Sequence, residues 1–479
     1  MPAIITNKFR IQNAKNFINP AATDSYYAFI GKPTPWANEL IPDAPIDSVD
    51  RELAIWDDIV AIKKVIPSSM SHGIKHRKWS SGIYYDFYRH DYGNVGVNGV
   101  TLVGGVPSPA YTSLADANFY VVTADFGVYV CVSNNNNGIS SVDPSTLIYN
   151  TKKIGTNNVD NYVWKFIARS SVADVTKFST TDWQPIRTLI ADPVTGEYVT
   201  QWANQLASVA DAGAIFNAVL TAGGTGYGVS LTNAAGVASV TGDGTGATCL
   251  VNTNATGVIT KLTVNNYGLG YTWAKIVFVT GTGATATAII TPAKGLGSDP
   301  VQDLVAFAAI TNVRLEYEDG GDFPVTNDFR RFGLLLNPTN FGSATVVSST
   351  TASALRVIKI NSGSTGTWVV DAVVRDTTTN ARGVIVDVKD GAGPDVGKKL
   401  IYIIRTEAEN SAAGAAGSAS FIALNIMEIV SGGTASGTIG SIVDPEVQPN
   451  SGSVIYIENR RAVSRAIDQI EDLKLIFEF

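Results

Sequence analysis

Charge is scarce in this chain. Asp, Glu, Lys and Arg together make up 16% of the residues, against roughly 25% in an average soluble domain. The balance leans acidic, with a formal net charge of −7. Nucleic-acid binding needs clustered Lys and Arg to displace condensed counterions. The one basic run, Lys75-His76-Arg77-Lys78, is too short to supply it, so no nucleic-acid partner is expected. Two cysteines, Cys131 and Cys249, make neither a disulfide framework nor a CxxC ligand pair, and a reducing compartment follows. No apolar run reaches the length of about 18 residues that a spanning helix needs. The opening MPAIITNKFRIQNA lacks the charged-then-apolar pattern of a secretion signal. A soluble protein without a membrane partner or classical export is therefore expected.

Apolar residues, at 45%, are too frequent for disorder, and 45 glycines accompany abundant Thr, Val, Ser and Asn. That mixture suits strands joined by many turns. The 479 residues suffice for two or three domains. Low surface charge also hints at surface covered by partners.

The first 50 residues, interrupted by prolines at 20, 33, 35, 42 and 45, read as extended segments, with a strand over Asp24–Ile30. Leu53, Trp56, Ile59, Val60 and Lys63 follow helical spacing, predicting a helix over 50–66 capped by Asp50 and stopped by Pro67. Strands are predicted at Ile83–Tyr88, Phe119–Val122, Gly127–Val132 and Tyr162–Ile167, with a loop over Asn134–Gly138. A helix over 199–210 would place Trp202, Leu206 and Val209 on one face. A further helix is predicted over 299–308, capped by Asp299, and a strand over Val313–Tyr317.

Composition shifts twice. Residues 214–292 carry a repeat: Gly224-Thr225-Gly226-Tyr227 returns as Gly268-Leu269-Gly270-Tyr271, and the GTGAT of Gly244–Thr248 returns at Gly281–Thr285. This predicts a small β module stacked on itself, its glycines supplying positive φ. Residues 343–448 form a second low-charge stretch, with strands predicted at 355–360, 367–374, 383–388, 400–404 and 420–430 and a loop over Ala412–Ser420. Two strands close the chain, at Val454–Ile457 and Leu473–Phe479.

Few residues suggest chemistry. His72 and His76, four apart, could share a metal on a helix, but Gly73 stands where a zinc protease has its Glu. With His90 these are all the histidines, and a surface or interface role is the simpler reading. Gly433-Thr434-Ala435-Ser436-Gly437 lacks the spacing of a nucleophile elbow. The GTGAT turns lack the Lys of a phosphate loop. Glu316, Glu318, Asp319 and Asp322 cluster around Gly320-Gly321; paired carboxylates can hydrolyse glycosides or hold calcium, and a solvated turn is the plainer reading. Trp36, Trp56, Trp79 and Trp164 read as core or interface anchors, with a sugar platform as the alternative. No catalytic residue, cofactor or metal is expected.

Several segments resemble one family in the same order. Ile4-Ile5-Thr6-Asn7-Lys8-Phe9-Arg10 and Phe29-Ile30-Gly31-Lys32 through Pro35-Trp36 resemble the opening of the gene product eight family, the baseplate wedge subunits of T-even-type contractile-tailed bacteriophages. Asp47-Ser48-Val49, Val65-Ile66-Pro67 and Arg77-Lys78-Trp79 continue it, and Gly155–Ile167, around Tyr162-Val163-Trp164, resembles the family's GYVW strand. Asp328-Phe329-Arg330-Arg331 to Asn337-Pro338 is similar to its GFRQI and NP segment. Gly452–Phe479, with Tyr456-Ile457-Glu458-Asn459-Arg460 and Asp468-Gln469, is similar to its C-terminal segment. The resemblance covers about half the chain and leaves out 214–292 and 343–448.

It implies a mainly β, multi-domain framework of β-sandwich or β-layer form, with a few short helices and the two Gly/Thr-rich modules inserted. The framework would run through 1–213, 293–342 and 449–479, around insertions at 214–292 and 343–448. It also implies a non-enzymatic virion protein, assembled in the host cytoplasm into the tail baseplate. There it would form a homodimer that links other baseplate wedge proteins and contacts tail-fibre proteins. The alternative is a receptor- or carbohydrate-binding tail protein using the inserted modules through Tyr227 and Tyr271.

Overall fold

A computed structural model describes all residues except 1–2, 21–23, 95–110, 136, 317–321, 326, 406–419 and 467–468. The fold is mainly β with a few short helices and a small barrel. Two compact units are present: Met1–Ile18 with Met70–Ile310 and Leu475–Phe479, and Asn19–Ser69 with Thr311–Lys474.

The first unit begins with a helix, Asn7–Ile18, where extended chain is predicted. Ile11, Ala14 and Ile18 recur at helical spacing and are buried, and the Thr6 hydroxyl accepts the Phe9 amide at 3.3 Å. A four-stranded sheet runs in the order Tyr120–Val122, Gly127–Ser133, Val163–Arg169, Ile154–Thr156. It buries Phe119, Val130, Cys131 and Trp164 in one core. Ile83–Tyr88 is not a strand; only Ile83 bridges, to Ser140. Its backbone bonds are scattered rather than laddered: the Tyr85 amide donates to the Tyr162 hydroxyl at 3.2 Å, the Asn134 amide group donates to the Tyr85 carbonyl at 3.0 Å, and the Asp86 and Tyr88 amides donate to the Asn118 and Cys131 carbonyls at 3.1 and 2.8 Å.

The repeat lies in this unit, and its copies interlock rather than stack. Ile215–Thr225 pairs with Thr282–Ile290 of the second copy, and Thr245–Thr253 pairs with Ile259–Leu269 of the second copy. Ile215 faces Ile290 in one pair and Ile259 faces Thr253 in the other, with bulges at equivalent places. Ala238–Gly242 and Ala274–Phe278 pair across the centre. Leu220, Cys249, Val251, Ile259 and Ile276 fill the shared core. Neither copy can complete its ladders alone.

The second unit holds a five-stranded sheet in the order Thr351–Ser353, Ile59–Val65, Tyr26–Gly31, Phe329–Leu336, Ser453–Val463. The predicted helix over 50–66 is half strand: helix covers Val49–Asp58 and is capped by Ser48, not Asp50. Ile59, Val60, Ile62 and Val65 are β-branched and buried, and they continue as a strand beside Tyr26–Gly31. Six further strands close a barrel around Ile358, Ile360, Ile385, Ile401, Met427 and Ile439. Two of them start later than predicted, at Val373 and Ile426, because Asp371 (φ 67°) and Leu424 (φ 75°) break the extended chain. Tyr317 and most of Ala412–Ser420 lie outside the described residues.

Candidate functional site

In the second unit, three segments singled out in the sequence come side by side in one sheet. Phe29 faces Gly333, which faces Ile457. Gly333 permits this closure, because a Cβ there would stand 2.0 Å from the Tyr456 carbonyl oxygen and 2.6 Å from the Phe29 ring. A groove of about 560 Å³ opens beside it, lined by Trp36, Asp43, Ile46, Arg51, Asp58 and Arg331 among others.

Arg331 organises the groove. Its Nη1 lies 3.1 Å from the Asp58 carboxylate, its Nε donates to Asn459 Oδ1 at 2.8 Å, and its guanidinium sits 5.7 Å from the Trp36 ring centre. Burial pushes the Asp58 carboxyl up, and the cations Lys32 and Arg331 oppose that. Trp36 is pinned at both ends: Nε1 donates to the Arg460 carbonyl at 2.7 Å, and its amide donates to Glu39 Oε1 at 2.9 Å. The segment that follows turns Leu40, Ile41, Ile46, Val49 and Leu53 to solvent. Arg461 Nε anchors it by donating to the Leu40 carbonyl at 3.2 Å. This apolar exposure has the character of a protein-binding surface rather than of a catalytic centre.

In the first unit the helix Val199–Val209 has its polar side inward, contrary to the predicted face. Gln201, Asn204, Gln205 and Ser208 are buried, whereas Leu206 and Val209 are each 57% exposed. Asn204 donates to the Ile167 carbonyl at 2.9 Å and Gln201 to the Arg187 carbonyl at 2.8 Å. Gln205 both donates to the Leu189 carbonyl and accepts its amide, each at 3.0 Å. The helix carries no charged residue.

The family described as "Bacteriophage T4, Gp8" matches residues 3–169. The matched segment, residues 3–169, is about a third of the chain and resembles the gene product eight family. The chain is also similar to "Baseplate wedge protein gp8" of Enterobacteria phage T4, 32% identical over 95 residues. That stretch is 18% of this chain and 28% of the relative, so the chain matches less than a third of the relative's length.

Within the matched segment Trp56, Trp79 and Trp164 are anchors. Trp164 is wholly buried, stacked on Tyr162 at 5.5 Å and edge-on to Tyr85 at 5.8 Å. Trp79 donates to the Ser140 hydroxyl at 3.2 Å, and Trp56 is buried in the second unit's core. Burial of Trp56 and Trp164 removes them as sugar platforms.

The histidines do not assemble. His72 lies on the strand Met70–Lys75, and four residues along a strand separate it from His76 by roughly 13 Å. Burial pushes the His72 imidazole down to about 4. His76 Nδ1 lies 3.1 Å from the Thr180 carbonyl, and His90 Nδ1 accepts the Ile290 amide at 3.2 Å. Among the described residues no group of three or more His, Cys, Asp or Glu side chains is placed to hold a metal ion.

The other singled-out motifs have structural places. Glu318 and Asp319 lie outside the described residues; nearby, Arg465 pairs with Glu471 at 3.1 Å and donates to the Glu316 carbonyl at 3.1 Å. Gly433–Gly437 belongs to the turn and first residues of a hairpin, and Thr245–Thr248 runs straight into a strand instead of a helix. Tyr227 and Tyr271 are buried, at 3% and 4% exposure, and present no surface to a receptor. No helix among the described residues is long and apolar enough to cross a membrane.

Sequence reasoning missed the Arg331, Asp58 and Trp36 assembly, because its members lie far apart in the chain. It also missed the inward amides of Val199–Val209. The signal available there was four amide or hydroxyl residues at helical spacing in a helix without charge.

Proposed function

We propose that this chain is a structural subunit of a phage tail baseplate wedge, located in the virion and assembled in the host cytoplasm. The match of residues 3–169 to the gene product eight family carries this reading. The similar phage T4 protein is named for the same place in the tail. In this reading the chain forms a homodimer, links neighbouring wedge proteins, meets tail-fibre proteins and performs no catalysis. Such work needs broad complementary surfaces with apolar anchors. The exposed run from Leu40 to Leu53 is one such surface. The uncharged outer face of Val199–Val209 is another, and it is suited to a second copy of itself because no like charges meet there. Residues 214–292 and 343–448 are read as modules inserted into the family framework.

The test is light scattering of the purified chain at micromolar concentration, followed by mixing with the other wedge proteins of the same phage. A dimer that enters a larger complex is expected. A strict monomer that binds none of them would overturn the proposal.

A further inference from the structure

A cavity of about 280 Å³ opens within the first unit, between the sheet that carries Trp164 and the strands Ile215–Thr225 and Ile259–Leu269 of the repeat. It belongs neither to the groove around Trp36 nor to the two apolar surfaces. Two of its walls are held rigidly by side-chain amides: Asn134 donates to the Tyr85 carbonyl, and Asn217 donates to the Val132 carbonyl at 2.9 Å. Tyr267 is half-buried and meets the buried Phe216 edge to face at 5.0 Å, so its ring supplies the aromatic surface that faces the cavity.

The remaining polar lining is different. Ser133, Asn135, Thr156, Asn161, Lys261 and Thr263 line the cavity, and none spends a side-chain hydrogen bond on another described residue. All but Ser133 are exposed. Hydroxyl and amide groups each donate and accept. Among the described residues the lining contains no carboxylate and one cation, Lys261.

This chemistry selects among ligand classes. A phosphate or nucleotide would call for several cations, and a lipid would call for an apolar wall. A sugar ring presents vicinal hydroxyls that both donate and accept, together with an apolar C–H face that lies on aromatic carbon. The volume, just below that of ligand pockets of roughly 300–1,000 Å³, suits a small saccharide of one or two rings. We infer that this cavity binds a short saccharide, with Asn161 and Thr263 taking ring hydroxyls, Tyr267 taking the apolar face, and Lys261 favouring an acidic sugar. The inference does not rest on the baseplate role, since sugar binding is read on the isolated chain.

The experiment is a screen of the full chain against an array of bacterial surface oligosaccharides, neutral and acidic, with calorimetric titration of each hit. Three variants accompany it. Thr263→Arg fills the cavity. Lys261→Ala removes the cation. Asn161→Gly removes one amide at a φ of 57°, which glycine adopts freely. Unchanged thermal melts establish that each variant folds. Acidic oligosaccharides are expected to bind, with affinity lost in Thr263→Arg and reduced about tenfold in Lys261→Ala and in Asn161→Gly. An array with no binding would overturn the inference, and so would binding that survives Thr263→Arg. Thr263-sensitive capture of a peptide segment from a wedge protein, with no sugar bound, would assign the cavity to a protein partner and equally overturn it.

Discussion

The Tyr227 hydroxyl, in the first copy of the repeat, accepts the amide of Ala284 in the second copy at 3.0 Å. The reciprocal bond joins Tyr271 of the second copy to the Ala247 amide of the first at 3.3 Å. Each ring lies on a glycine of the opposite copy: a Cβ at Gly281 would stand 2.7 Å from the Tyr227 ring, and one at Gly244 would stand 2.5 Å from Tyr271. The GxGY and GTGAT motifs are therefore two halves of one contact, made twice.

Gly281→Ala should loosen the interlock. It adds a methyl group into the Tyr227 ring at a backbone φ of 70°, and a cost of roughly 1–3 kcal/mol is expected. Tyr227→Phe, which removes one hydrogen bond, should cost about 1 kcal/mol. Hydrogen exchange of a peptide over Thr282–Ile290 reads both, and protection equal to wild type in Gly281→Ala would contradict the contact.

Acid stability should divide between two buried groups of opposite sign. Burial, aided by Lys15, pushes His72 from 6.5 down to about 4. Its contribution is complete above 6.5 and lost as pH falls through 4, worth at most about 3 kcal/mol. Burial pushes Asp303 from 3.8 up to about 7. Its contribution is complete below 3.8 and lost as pH rises through 7. Between pH 7 and 4, His72→Gln should therefore lose less stability than wild type and Asp303→Asn should lose more. Urea midpoints at pH 4.5 and 7 check this.

Arg331→Ala should destabilise the second unit by about 2–3 kcal/mol. It leaves the half-buried Asp58 without its 3.1 Å partner and Trp36 with Lys32 as its remaining cation, 5.4 Å from the ring centre. Its two acidic and amide partners remain, so Arg331→Lys should restore only part, since an ammonium cannot reach Asp58 and Asn459 with a planar fork. Urea denaturation followed by tryptophan fluorescence measures both variants.

Leu206→Glu and Val209→Glu test the outer face of the helix Val199–Val209. Both residues are exposed, so each change should alter the melting temperature of the isolated fold by little. Each is expected to weaken self-association, read as a shift from dimer to monomer in sedimentation at micromolar concentration. An unaltered dimer would remove this face from the interface.

Buried thiols should be inert. Cys131 is wholly buried and its thiol is pushed well up by burial, while Cys249 is raised to about 11 for the same reason. Alkylation should reach both only in denaturant.

Much was legible in the sequence because it depends on near neighbours. The strand composition of Val163–Arg169, the Asp299 and Pro300 start of a short helix, and the turn glycines of the repeat all state local requirements. So do the segments around Phe29, Arg331 and Tyr456, which the structure aligns in one sheet.

The tertiary structure decided matters that depend on which distant segment arrives to satisfy a backbone group. Ile83–Tyr88 has strand composition, yet Tyr162 and Asn134 take the amide and carbonyl of Tyr85, so it meets the neighbouring strand only at the Tyr88 amide and forms no ladder. Trp202, Leu206 and Val209 have the spacing of a core face, yet the carbonyls of Ile167, Arg187 and Leu189 need donors, and the helix turns its amides toward them. An unpaired buried carbonyl costs more than an exposed leucine. By itself the sequence determined the repeat and most of its strands, and the fold decided that each copy closes its ladders on the other.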